Sequence, residues 1–322
     1  MWEDILSVVL LVCGMALLIK GADWFVEGSS SIAKSLKIPS LVIGLTLVSL
    51  GTSMPEFSVS LQSSINGHND MSFGNVIGSN IFNTLVVIGV SAILIPLVVS
   101  KEMKKYDLPI LIGIYVLLIL FAFVISSGTI VLWEAIILFS ITIIYTIFLI
   151  YRSKEEIKKS KDNETYTPKR AWYLNLIFVV IGLAGIILGG DLVVDNASYI
   201  AGKLGMSDLL VGLTIVAVGT SLPELVTSIV AAKKGENDIA IGNAIGSSLF
   251  NIVLILGFCS IVTPATVEVS SVVDCLVMLA SAIIVFLFSF KSMKVNRWQG
   301  ILMTIIYVVY VIYIILRNIY HF

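Results

Sequence analysis

Glu56 and Glu224 occupy near-identical settings, "GTSMPE" at 51–56 and "GTSLPE" at 219–224, each directly after a proline in a run otherwise apolar enough for a membrane. A charged side chain at the centre of a membrane helix costs about 2.5–3.5 kcal/mol even on the lenient insertion scale, so two of them argue for use. Pro55 and Pro223 cannot donate a backbone hydrogen bond to Gly51 and Gly219, so each helix should break or kink there and free carbonyl oxygens. In lipid such backbone is tolerated only where it is buried in protein or lines a cavity. Thr52 precedes Glu56 by one helical turn, and Thr220 precedes Glu224 in the same way, so hydroxyl and carboxylate share a face. Hydroxyl, carboxylate and carbonyl oxygens are the donors that hard cations take, Ca²⁺ about 6–8 of them at roughly 2.3–2.6 Å. No histidine or cysteine accompanies them, which argues against zinc or copper.

A second motif is also doubled. In "GNVIGSNIFN" (74–83) Ser79 and Asn83 are one turn apart, and in "GNAIGSSLFN" (242–251) so are Ser247 and Asn251, each pair offering a hydroxyl and an amide oxygen to one face. Gly74 with Gly78, and Gly242 with Gly246, make GxxxG patterns, whose ordinary meaning is close helix packing. Close approach would also bring Ser79 toward Glu56.

The elements that must position these groups are helices in a bilayer. The chain of 322 residues is 58% hydrophobic and 13% charged, against about 25% charged in a soluble domain. Apolar runs and turn signals predict ten spans: 4–35, 40–66, 70–96, 106–125, 129–151, 172–204, 208–233, 238–264, 271–290 and 298–317. Glu3 and Asp4 stand where a secretory signal would be basic, so the first span reads as retained. The polar stretch "YRSKEEIKKSKDNETYTPKR" divides the chain into a first five-helix unit (1–150), a cytoplasmic linker (151–171) and a second unit (172–322). Of the 20 lysines and arginines, all but Lys20, Lys203 and Arg317 then fall in loops on one side. The positive-inside rule makes that side cytoplasmic and both termini extracytoplasmic, in an integral protein of the plasma (inner) membrane. Cys13, Cys259 and Cys275 show no metal-ligand spacing and no disulfide framework. A net charge of −1 with the basic residues in short loops gives no sign of nucleic acid. The bilayer is the expected partner, with no obligate protein partner and no cofactor inferred.

Shifted by 168 residues without a gap, 21–96 lies over 189–264 with 31 identities in 76 positions, too many for chance. Five spans, an odd number, separate equivalent points, so the copies enter the membrane from opposite sides. That is the inverted-repeat plan of many secondary transporters, with a site near the midplane between the copies. The fold class expected is therefore an all-α integral membrane protein of ten transmembrane helices in two inverted five-helix repeats, with helices 2, 3, 7 and 8 broken.

"GTSMPE" with "GNVIGSNIFN", repeated as "GTSLPE" with "GNAIGSSLFN", resembles the two α-repeats of the Na⁺/Ca²⁺ exchanger family within the calcium/cation antiporters. The resemblance covers essentially the whole chain. It implies long, tilted first and sixth helices that slide against a fixed bundle, and an antiporter that expels Ca²⁺ on the inward Na⁺ gradient. It implies that Glu56 and Glu224 are shared by the central calcium site and the sodium sites. Thr52, Ser53 and Ser79 match one sodium site with the carbonyl of Ser49, while Thr220, Ser221 and Ser247 match its mirror with the carbonyl of Ala217. Asn83 and Asn251 match the remaining central position of each half. Family members often carry aspartate where this chain has Asn251, so the site offers −2. A Ca²⁺/H⁺ antiporter on the same fold is the alternative, because a proton needs only the glutamates.

An intramembrane hydrolase built on Ser53 or Ser221 lacks a base, since His68 and His321 lie in a loop and at the terminus. An organic-anion carrier would be repelled by two buried glutamates. Asp23 and Asp191, followed by Glu27 and Asp195, also recur at equivalent positions; solvation or local hydrogen bonding explains them more simply than gating. "KEMKKY" (101–106) and "KSMKVNR" (291–297) read as orientation signals at the cytoplasmic face.

Overall fold

The computed structural model describes residues 2–67, 69–159, 172–204, 217–268 and 271–320. Its helices are α1 (Trp2–Ser35), α2 (Ser40–Thr52), α3 (Met54–Ile65), α4 (Asp70–Leu94), α5 (Met103–Ile125), α6 (Leu132–Lys159), α7 (Trp172–Lys203), α8 (Ala217–Gly219), α9 (Leu222–Lys233), α10 (Asn237–Val262), α11 (Ser271–Ser292) and α12 (Arg297–Tyr320). Among the described residues eight helices are long and apolar enough to cross a membrane, and the pair α2 and α3, bent by 49°, makes a ninth. Residues 208–216 of the expected span 208–233 lie outside the described residues, as does His68. Helix α6 runs to Lys159, into the stretch expected as linker, and 160–171 also lie outside the described residues.

The two proline breaks form as the sequence predicts. The chain leaves helical geometry at Ser53 (φ −84°, ψ 8°), and Pro55 falls in the first turn of α3, where its missing N–H is not needed. Ser221 (φ −94°, ψ 6°) does the same ahead of α9, with Pro223 in the first turn. The breaks expected in helices 3 and 8 do not form. Helices α4 and α10 run through and widen instead to π-helical winding over Asn83–Val87 and Asn251–Leu256. Pro96 and Pro264 lie beyond their ends, so the ladder is not cut and the change in winding re-aims the side chains of Asn83 and Asn251.

Helices α1 and α7 lie against each other along their lengths through glycines. A Cβ on Gly21 would stand 2.7 Å from the backbone N of Ile186, and one on Gly182 2.5 Å from that of Phe25. Two small antiparallel ladders join the halves. Leu97–Val98, after α4, pairs with Lys294–Val295 between α11 and α12, in register Leu97 with Val295. Ala265–Thr266, after α10, pairs with Thr129–Ile130 between α5 and α6, in register Ile130 with Ala265. Each half thus supplies a strand to the other.

Candidate cation site

Glu56 and Glu224 are wholly buried, both at 0% exposure. Ser53 Oγ donates to Glu224 Oε1 at 2.8 Å, and Ser221 Oγ donates to Glu56 Oε1 at 2.9 Å. Both serines sit at the helix breaks, in the position that ordinarily caps the following helix, yet neither caps its own. Their hydroxyls cross to the other copy's carboxylate instead. The doubled motif thereby becomes one site, each glutamate held by the serine that precedes the other.

Ser247 Oγ, on α10, lies 3.3 Å from the Ser49 carbonyl and 3.4 Å from Glu224 Oε1 as a donor to both. Thr52 Oγ1 donates to Asn243 Oδ1 at 3.0 Å and to the Ser49 carbonyl at 3.3 Å. Ser49, Thr52, Ser53, Ser247 and Glu224 therefore form one group. Ser79 faces the same cavity as Thr220. Ser247 thus lies with the hydroxyls of the first copy rather than with Thr220 and Ser221, while Ser79 and Thr220 border one cavity. The reason is packing, because α10 crosses α2 at Gly246, where a Cβ would lie 2.7 Å from Ser49 Oγ and 2.8 Å from Leu45 Cα. In the second copy the GxxxG pattern makes this contact, with a Cβ on Gly242 standing 3.1 Å from Gly44 Cα.

Asn251 and Asn83 are buried. Asn251 Nδ2 donates to Asn80 Oδ1 at 3.2 Å, and both amide atoms of Asn83 lack a partner among the described residues. Ala217 opens the described stretch 217–268. Two further asparagines were not singled out from the sequence. Asn243 Nδ2 donates to the Glu224 carbonyl (3.2 Å) and Ser228 Oγ (3.0 Å), and Asn75 Nδ2 donates to the Glu56 carbonyl (3.4 Å) and Ser60 Oγ (2.9 Å). They hold the short helices after the breaks, and their signal was present: the asparagine of each "GN" recurs at the repeat spacing. Asp23 is engaged locally, accepting from Lys20 Nζ at 2.9 Å and pairing with Lys234 Nζ at 2.7 Å.

The remaining carboxylate oxygens, Glu56 Oε2 and Glu224 Oε2, are buried without a donor among the described residues. An unsatisfied buried polar group costs about 1–3 kcal/mol, more when charged. A cation or a proton would remove that cost, and the side-chain and carbonyl oxygens gathered nearby are the kind of ligand that hard cations take.

The family model described as sodium/calcium exchanger protein matches residues 6–151 and 174–316. The chain belongs to the sodium/calcium exchanger family. It is 32% identical to sodium/calcium exchanger MaX1 of Methanosarcina acetivorans, over 93% of this chain and 96% of that protein. Inner membrane protein YrbG of Escherichia coli is 34% identical over 93% of this chain and 94% of its own. Among solved structures, the sodium-calcium exchanger NCX_Mj soaked with Na⁺ and Ca²⁺ superposes with a TM-score of 0.82 at 33% identity, covering 95% of this chain and 97% of that one. A membrane antiporter family, an all-helical fold and the alignment over both halves agree with the reading from the doubled motifs.

Proposed function

We propose that the protein exports Ca²⁺ in exchange for Na⁺ by alternating access, with the cations held at the bilayer midplane between two inverted five-helix repeats, 1–150 and 172–322. The observation that carries this reading is the crossed pair of hydrogen bonds, Ser53 to Glu224 and Ser221 to Glu56, around two buried carboxylates that each have one oxygen without a hydrogen-bond partner among the described residues. In this account both glutamates bind Ca²⁺. The carbonyl of Ser49 with Thr52, Ser53 and Ser247 forms one Na⁺ position, and the carbonyl of Ala217 with Thr220, Ser221 and Ser79 forms the other. Asn83 and Asn251 complete the centre. Ten spans, including 208–233, place the basic loops and the 151–171 linker in the cytoplasm and both termini outside the plasma membrane.

Work is coupled through competition. Two carboxylates balance one Ca²⁺ or two Na⁺, so the two loads exclude each other from the same oxygens. Helices α1 and α7, held to each other in backbone contact through glycines, form a pair that moves as one unit past the bundle that holds the site. Proton coupling is the second reading, favoured by the same free oxygens, Glu56 Oε2 and Glu224 Oε2, which accept a proton as readily as a metal ion. Proteoliposomes loaded for either a Na⁺ or a pH gradient, with labelled Ca²⁺, separate the two. Uptake driven by Na⁺ alone is expected; uptake driven only by the pH gradient would replace this reading with the proton one.

A further inference from the structure

Away from the glutamates lies a second duplicated cluster of ionisable groups. Asp107 on α5 accepts from Tyr145 Oη at 3.0 Å and, through both oxygens, from Arg152 Nη1 at 3.0 Å, both partners on α6. Asp274 on α11 accepts from Tyr310 Oη at 3.1 Å and from Arg317 through Nη1 at 3.2 Å and Nη2 at 3.0 Å, both on α12. In each copy the tyrosine and arginine are two helical turns apart, and the cluster closes the open end of a helical hairpin opposite its connecting turn.

The surroundings of the two copies differ. Arg152 and Asp107 are sealed, with side chains 7% and 0% exposed, whereas Arg317 and Asp274 are 20% and 13% exposed. Asp274, Tyr310 and Arg317 border a cavity of about 440 Å³ whose wall also carries Ser79 and Thr220. One cavity thus joins a balanced charge pair to two of the hydroxyls proposed to bind Na⁺.

We propose that Asp274 and Arg317 set the electrostatics of the path by which cations reach Ser79 and Thr220, while Asp107 and Arg152 serve only to fasten their hairpin. The inference rests on the exchange reading above. Paired, carboxylate and guanidinium cancel at a distance, so the mouth is neutral; removing one partner exposes the charge of the other. A fastening contact responds alike to loss of either partner, because the hairpin loosens either way. A charged rim responds with opposite signs, and more strongly for Ca²⁺ than for Na⁺.

The test is Na⁺-gradient-driven exchange in proteoliposomes, with cations varied at low ionic strength on the side carrying the α12 C-terminus. Asp274→Asn leaves Arg317 positive. It is expected to raise half-saturation about two-fold for Na⁺ and about four-fold for Ca²⁺, the Coulomb factor for a cation passing roughly 10 Å from a unit charge in water. Arg317→Gln is expected to lower both by similar factors, the double variant to restore them, and high salt to erase the shifts, since the Debye length falls to about 3 Å at 1 M. Ser271, on the same cavity wall, gives a version that leaves the pair intact: Ser271→Asp lowers half-saturation and Ser271→Lys raises it. Asp107→Asn and Arg152→Gln both lower the melting temperature. Shifts of one sign for Asp274→Asn and Arg317→Gln, or none in the Ser271 pair, overturn the inference while wild-type exchange persists. A wild type that exchanges nothing overturns the exchange reading instead.

Discussion

Gly246 on α10 leaves no room for a methyl group. At Gly246 an added Cβ would lie 2.7 Å from Ser49 Oγ and 2.8 Å from Leu45 Cα, where ordinary contact begins at 3.4 Å. The Leu45 backbone cannot rotate away, so α10 and α2 must part by about 0.6 Å (3.4 less 2.8). Metal ligands hold their distances to about ±0.2 Å, and the displaced groups include Ser247 and the Ser49 carbonyl. Gly246→Ala is therefore expected to weaken Na⁺ and Ca²⁺ binding about ten-fold or more, beside an overpacking cost of about 1–3 kcal/mol. Labelled Ca²⁺ uptake across a range of Ca²⁺ concentrations, alongside thermal unfolding in detergent, reads both quantities. Wild-type binding and unfolding in Gly246→Ala would refute the packing on which the grouping of Ser247 with Ser49 depends.

Ser53→Ala and Ser221→Ala each remove one crossed hydrogen bond to a carboxylate, a contact of about 1.5–3 kcal/mol. Equal losses of Na⁺ affinity in titrations of the two variants are expected, and a large loss in only one would break the symmetry. Gly182→Ala drives a Cβ to 2.5 Å from the backbone of Phe25; stopped-flow turnover should slow while equilibrium Ca²⁺ binding stays unchanged. We expect a third Na⁺ to join the two positions above; against two carboxylates it leaves a net +1, worth about 2.3 kcal/mol per 100 mV across the membrane. Reconstituted protein should then carry current during exchange, and electrically silent exchange would leave two Na⁺ per Ca²⁺.

The breaks at Ser53 and Ser221 were legible because proline removes a specific donor, and the burial of both glutamates followed from their apolar flanks. The family followed from the doubled motifs. Two things were not legible. The meeting of Gly246 with Leu45 and Ser49 cannot be read from "GNAIGSSLFN", because a GxxxG pattern does not name the helix it packs against; the contact of Ser247 with the Ser49 carbonyl was hidden with it. The seam between α1 and α7 was likewise hidden, since Gly14, Gly21 and Gly28 are dispersed at two-turn intervals and make no compact motif. Helices 3 and 8 were expected to break by analogy with 2 and 7, but without an internal proline they take up π winding instead.

The account stands on one shared pocket, so equilibrium binding of labelled Ca²⁺ to purified protein, wild type against Glu56→Gln, Glu224→Gln and the double variant, tests it most directly. One Ca²⁺ per chain is predicted for the wild type, with either single substitution abolishing it as fully as both together. Additive partial losses, or a full Ca²⁺ site surviving in either single variant, would mean that the two glutamates do not hold the same ion.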